Sequence, residues 1–389
     1  YMDFDDLKDY VKISYELTQD GLVISKGILP EFSVAPHGEG KTNLKISVPE
    51  NGKCYLKLIY YLKKEMPLLE ENHILGFDEI EVSQKDAKCQ LAEKWLEKTA
   101  TDSELQVNED DTQIHIKGRE FAYTIDRRTA LFTEMKFAGR EYLNHPMELN
   151  IWRAPTDNDM YIKAEWKKAQ YDKAYTRAYT TEVVQGKHGV KITSHASVVA
   201  ETVQKILDVT ITWKIDASGK IDADIEATKD GEFPDLPRFG VRMFLDKKLT
   251  DAGFFGMGPQ ESYRDKHRAA SHGLYRLKVS DMHEDYIRPQ ENGSHYDCDY
   301  VELGNSQYGI TAIAEEDAFS FNASFYTQEE LEKKAHNYEL IESDSTVLCL
   351  DYAQNGIGSN SCGPDVLDAY RFDDRLFRFR FTLVPYVKG

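Results

Sequence analysis

Residues 10–17 read YVKISYEL. Val11, Ile13, Tyr15 and Leu17 fall on one face, and Lys12, Ser14 and Glu16 on the other. A period of two with β-branched and aromatic residues is the mark of a half-buried antiparallel strand. The same period returns in KCYLKLIYYL (53–62), QIHIKG (113–118), FAYTI (121–125), VTITWKI (209–215) and KIDADIEA (220–227), and it closes the chain in RLFRFRFTLV (375–384). QDG (19–21), PENGK (49–53) and DASGK (216–220) read as hairpin turns between such runs. Helical patterns are few. YTQEELEKKAH (326–336) carries a capping box, with Thr327 as N-cap and Glu330 three residues on, and YIKAEWKKAQYD (161–172) is a second candidate. The fold class is mainly β.

Composition narrows the function classes. The 389 residues are 41% hydrophobic and 30% charged, which suits a folded, soluble chain of two or three domains. The net charge of −19 argues against a phosphate-backbone partner. No apolar run approaches the roughly 18 residues of a membrane span, and the acidic opening YMDFDDLKDY lacks the apolar core of a signal peptide. Five cysteines (Cys54, Cys89, Cys298, Cys349, Cys362) without a CxxC pair argue against a disulfide framework or a zinc site, and for a reducing, cytoplasmic setting. Twenty-three tyrosines suit strands, and also the stacking of aromatic faces on sugars.

A boundary is expected where EKTATDSELQVNEDD (97–111) loses periodicity. This places an immunoglobulin-like sandwich at 1–98, a linker at 99–108 and a large antiparallel supersandwich at 109–389. No internal repeat or nucleotide loop is visible.

Four stretches concentrate chemistry. In WRAPTDNDM (152–160), Arg153, Asp157, Asn158 and Asp159 suit either a ligand or domain interface or, more commonly, an ion-paired Asx-turn. FFGMGPQESYRDKHRAASHG (254–273) crowds Glu261, Tyr263, Arg264 and Asp265 after a Gly-Pro kink. Glu261 or Asp265 could act as a general acid or base, although a salt-bridged loop is the commoner outcome. In YIRPQENGSHYDCDYVEL (286–303), Glu291-Asn292-Gly293 reads as a turn able to move over a site. Alternation would put His295, Asp297 and Asp299 on one face, as metal ligands or, more simply, as a solvated edge. AQNGIGSNSCGPDVL (353–367) is a loop with three glycines. No His or Lys lies near Cys362 in the loop to activate its thiol, so a small side chain lining a pocket, or a plain turn, outweighs a nucleophile.

Taken in order, WRAPTDND, GMGPQESYRDKHRAA, VSDMHEDYIRPQENG, SFNASFYTQEEL and GIGSNSCGP resemble successive motifs in the C-terminal part of the large bacterial β-galactosidases of glycoside hydrolase family 2. LTQDGLVISKGILPEFSVAPHGEGKTNLKI and MPLLEENHILGFDEIEV resemble the immunoglobulin-like domain that follows the catalytic barrel in that family. The resemblance covers nearly the whole chain and starts inside the first strands of that domain. It implies a retaining galactosidase whose two catalytic carboxylates lie on a barrel that no segment here resembles. This chain would then be a fragment of the enzyme or the small subunit of a split one. No catalytic residue is expected here, and the chain alone is expected to be inactive. The partners implied are the barrel region or large subunit, a galactoside such as lactose, and further subunits of an oligomer. Mg²⁺ and Na⁺ are expected for the complete enzyme, with no cofactor or metal carried onto this chain.

The resemblance also assigns roles. The loop of Asn360, Ser361 and Cys362 lines the outer, aglycone side of the sugar site. Cys362 stands where many members carry a stacking Trp, and the exchange reduces apolar stacking on glucose. Glu291, Asn292 and Gly293 match a mobile loop at the rim of that site, while Arg153, Asp157, Asn158 and Glu261 match a structural or interface motif. Two other readings remain open. One is a free-standing carbohydrate-binding or aldose-mutarotase-like module with His267, His272, His283 or His295 as base. The other is a purely structural oligomerisation piece.

Overall fold

The computed structural model describes residues 4–85, 87–97 and 104–388. They divide into two compact units, Tyr1–Lys94 with His272–Leu274, and Trp95–Ser271 with Tyr275–Gly389. Strands dominate both, and the strand pairings described below are antiparallel.

In the first unit β1 (Val11–Gln19), β2 (Leu22–Ile28), β3 (Cys54–Leu62) and β4 (Ile74–Glu81) form one sheet in the order β2-β1-β3-β4. The QDG turn joins β1 to β2, with Asp20 and Gly21 both at positive φ, as a tight hairpin requires. PENGK turns the chain but closes no hairpin: residues 29–53 run without strand pairing, and β3 pairs with β1 instead of β2. The expected sandwich therefore appears as a single hydrogen-bonded sheet plus this extended segment, which buries Leu29 and Val34.

The second unit opens earlier than the expected linker allows. Gln106–Glu109 is a strand paired with Gln113–Lys117, and residues 99–103 lie outside the described residues. Leu105 is buried and Val107 packs on the core, an alternation that the surrounding acidic residues hide. A nine-stranded sheet carries the three long runs read from sequence. Val209, Ile211, Trp213 and Ile215 point inward beside Ile221, Ala223, Ile225 and Ala227, and beside Phe377, Phe379, Phe381 and Leu383. Across the strands Ile225 faces Phe379 and Ala223 faces Phe381. Each large side chain buried this way stabilises the fold by about 1.5–3 kcal/mol. The indole N–H of buried Trp213 donates to Ala130 O at 2.8 Å, so the core hides no unpaired donor there.

A five-stranded sheet positions the candidate site. Its order is Leu143–Asn150, Arg238–Asp246, Ser345–Gln354, Phe319–Ser324, Ser294–Cys298. Both candidate helices form, as Gln328–Lys333 and Ile162–Lys168. Thr327 caps the first by accepting from Glu330 N, and the second buries Trp166. All five cysteines are free thiols, and Cys362 alone among them is exposed. No described helix is long and apolar enough to cross a membrane.

Candidate functional site

Antiparallel register brings distant motifs together. Asn150 pairs with Gly240, Arg238 with Gln354, Ser320 with Asp351, and Phe319 with Cys298. The segments that leave or enter the sheet at this one end are 151–160, 234–238, 355–364 and 297–299.

Arg153 sits at the centre and is fully buried. Its Nε and Nη2 clasp Asp159 at 3.1 and 2.6 Å, while Nη1 and Nη2 donate to the carbonyls of Asn355 and Gly356 at 2.6 and 3.1 Å. A planar guanidinium suits this double task, binding one carboxylate and the root of a loop. Asp159 also accepts from Thr156 N and Oγ1 and so folds its own turn. Asn158 Nδ2 donates to Gly358 O at 2.7 Å, and Asn158 Oδ1 accepts from Ser361 N and Oγ at 3.2 and 2.7 Å. Asp157 meets Gln290 through its N–H and its carboxylate. Asp265 completes the clamp, its two oxygens accepting from Ile357 N at 2.9 Å and Gly358 N at 2.8 Å. The loop root at Asn355, Gly356 and Ile357 is buried, whereas Ser361, Cys362 and Gly363 are exposed. The loop thus has a fixed base and an open tip. At the tip, Cys362 N and Gly363 N donate to Ser359 O.

Glu291, Asn292 and Gly293, expected as a mobile rim, are instead buried and engaged inside the protein. Glu291 accepts from Arg238 Nη1 at 2.9 Å, and Arg238 binds Asp351 through Nε at 3.0 Å and Nη2 at 2.5 Å. Burial pushes the Glu291 and Asp351 carboxyls up, against the downward pull of the Arg238 guanidinium. Burial opposes the charge of Arg238, but the two carboxylates outweigh it and hold the guanidinium charged. Asn292 accepts from Glu284 N and donates to Gln290 O. Gly293 adopts φ +69°, donates its N–H to Glu261 at 2.9 Å, and a Cβ there would come within 2.3 Å of Met282 O. The turn-forming residues ENG gave the correct backbone and the wrong exposure, because Arg238 lies 53 residues away in sequence and supplies the partner.

Glu261 is held by Lys266 at 2.5 Å, by the Tyr286 hydroxyl and by Gly293 N. Both Glu261 and Asp265 are thus occupied in holding loops. The face proposed for His295, Asp297 and Asp299 does not form. A bulge with Asp297 at φ +55° interrupts the strand, and the chain then moves from the five-stranded sheet to the nine-stranded one. His295 is neither a metal ligand nor solvated. It lies between Phe254 and Phe321, with ring centroids 4.5 and 5.2 Å away, and burial lowers its pKa to about 4. Burial also lowers His283. Among the described residues, no three His, Cys, Asp or Glu converge to hold a metal ion. Arg238, Asp351 and Asn355 were missed as site residues, and Asp265, read as a possible acid or base, instead binds the loop amides. The available signal was a charge at an inward position of an apolar strand, in RFGVRMF (238–244) and LCLDYAQN (348–355).

Fold and site together define a two-unit, antiparallel β protein in which sequence-distant loops are bound into one polar cluster at the end of a sheet. The model described as beta galactosidase small chain matches residues 117–383, and the one described as beta-galactosidase, domain 4, matches residues 1–83. The chain belongs to the beta-galactosidase small-chain family. It is 42% identical over 99% of its length to a beta-galactosidase of Actinobacillus pleuropneumoniae and 30% identical over 98% to one of Staphylococcus xylosus, spanning 37% and 38% of those proteins. A solved galactose 1-epimerase from Lactobacillus acidophilus NCFM superposes on 74% of the chain, and over 99% of its own, with a TM-score of 0.41 at 6% identity.

Proposed function

We propose that this chain is the C-terminal region or small subunit of a cytoplasmic, retaining β-galactosidase acting on terminal β-galactosides such as lactose. In the complete enzyme one carboxylate protonates the glycosidic oxygen and a second forms the galactosyl-enzyme intermediate. Both belong to a barrel supplied outside this chain, and the chain alone is inactive. Its own contribution is a wall: Asn360, Ser361 and Cys362 face the aglycone, held there by Asn158, Asp265 and Arg153. The observation that carries this reading is the loop 356–364, fixed at its base by side chains from two other motifs and open at its tip. A loop built this way presents groups at low entropic cost. Mg²⁺ and Na⁺ are proposed for the complete enzyme. On this chain Asp159, Glu261 and Asp265 are engaged by Arg153, Lys266 and backbone N–H groups, and among the described residues no three such ligands converge to hold either ion.

The test is Cys362→Trp in the complete enzyme. Added stacking area is expected to strengthen glucose retention and to shift the balance between hydrolysis and transfer to acceptors. Unchanged acceptor inhibition and transgalactosylation would refute the role of the loop. Hydrolysis of nitrophenyl galactoside by the pure chain, lost on mutating Glu261 or Glu291, would refute the division of labour.

A further inference from the structure

A cavity of about 220 Å³ opens within the second unit, lined by Tyr296, Asp297, Tyr352, Asp317, Asp374 and Arg264, with Tyr263, Ser320 and Gln354 at its wall. None of these residues belongs to the loop 356–364. We propose that this cavity binds one neutral monosaccharide.

Its chemistry is mixed in the way a polyol requires. Three carboxylates accept from hydroxyls, and the Arg264 guanidinium donates to ring or hydroxyl oxygens. Asp374, Asp317 and Arg264 all act electrostatically on the Tyr352 phenol, and Asp297 and Arg264 on that of Tyr296, so these groups converge. Each tyrosine ring is backed by another ring. Tyr352 stacks on Phe377 at 5.2 Å and 15°, and Tyr296 on His267 at 5.9 Å and 24°. The ring planes are thereby fixed before any ligand arrives, which suits stacking on the C–H face of a sugar. Asp297 reaches the cavity from a bulge at φ +55°. A bare cation fits less well, because Arg264 already occupies the wall with positive charge.

The experiment uses the 389-residue chain, with D-galactose and D-glucose as probes in saturation-transfer NMR and titration calorimetry, and MgCl₂ and spermidine as cation probes. A monosaccharide of a dozen heavy atoms is expected to bind with a dissociation constant on the order of 1 mM. Asp317→Asn with Asp374→Asn, both on exposed positions, is expected to weaken it at least tenfold with the melting temperature unchanged, and Arg264→Gln, which also gives up a bond to the Arg371 carbonyl, is expected to weaken it at least tenfold. No hexose binding, binding that survives both sets of substitutions, or binding of only the cations would each overturn the proposal. Binding is read here without catalysis, so neither result bears on the galactosidase reading, and the Cys362→Trp result does not bear on this one.

Discussion

Asp265→Asn tests the loop clamp with almost no change in shape. The wild-type carboxylate accepts from two backbone N–H groups, at 2.9 Å from Ile357 and 2.8 Å from Gly358. An asparagine at the same place keeps one acceptor oxygen and presents an NH₂ to the other donor. One charge-assisted bond is lost, one is weakened, and a backbone N–H is left facing another donor. A hydrogen bond to a charged group contributes about 1.5–3 kcal/mol, and a stranded donor costs a similar amount. Partial relaxation brings the expected local cost to about 2–3 kcal/mol. At about 1.4 kcal/mol per decade, amide exchange at Ile357 and Gly358 should speed up roughly 30- to 150-fold. Gly356 N donates to Tyr370 O, and Arg153 still grips the carbonyls of Asn355 and Gly356, so protection at Gly356 should barely move. Hydrogen exchange resolved to single residues by NMR is the assay. Exchange at Ile357 and Gly358 within threefold of wild type would refute the clamp, and so would loosening spread evenly over the sheet.

Arg153→Met should destabilise the second unit by about 3–5 kcal/mol in urea unfolding, because Asp159 is left as a buried, unpaired carboxylate. Arg153→Met with Asp159→Asn should recover part of that loss, and failure to recover any would argue against the pair as its cause. His295 has a folded pKa of about 4 against 6.5 unfolded, so the folded state binds fewer protons in that window. Its contribution is complete above pH 6.5 and lost as pH falls towards 4, about 2 kcal/mol between pH 7.5 and 5.0. His295→Phe should flatten that part of the pH–stability curve, and an unchanged slope would sink the assignment. Gly293→Ala meets both a positive φ and the Met282 carbonyl at 2.3 Å, and should lower stability by about 2 kcal/mol or more, read as a lower urea midpoint.

The fold was legible where one physical signal dominated. Long two-residue alternation in VTITWKI, KIDADIEA and RLFRFRFTLV gave strands that bury the expected faces. The Thr327–Glu330 cap gave a helix start. The first unit was less legible, since residues 29–53 hold apolar residues without pairing, and pairing is a long-range property. The site divides in the same way. Arg153 was expected to meet a carboxylate, and Asp159 lies close enough in sequence for that to be read. The pairing of Glu291 with Arg238, and of Asp265 with the loop amides, depends on sheet register across 53 and 92 residues or more, and no local pattern encodes it.

That register also explains why the motifs are spaced so widely. A loop that reaches over a ligand needs its base immobilised, and a single hairpin end supplies only its own two strands. Here three neighbouring strands of a five-stranded antiparallel sheet, the first of them at its edge, have ends side by side, so each adds one entering or exiting segment to the same patch. Arg153 follows one strand, Arg238 begins the next, and the loop 356–364 follows a third. Arg153 then spans two of these segments with one guanidinium, and Arg238 ties a third to the buried turn at Glu291. Both arginines are fully buried and each is matched by carboxylates, so truncating either leaves an uncompensated charge at the foot of the loop. The loop tip at Cys362 can therefore vary in chemistry without loss of the fold, whereas its base cannot, and substitutions that tune the tip should separate in effect from those that unseat it.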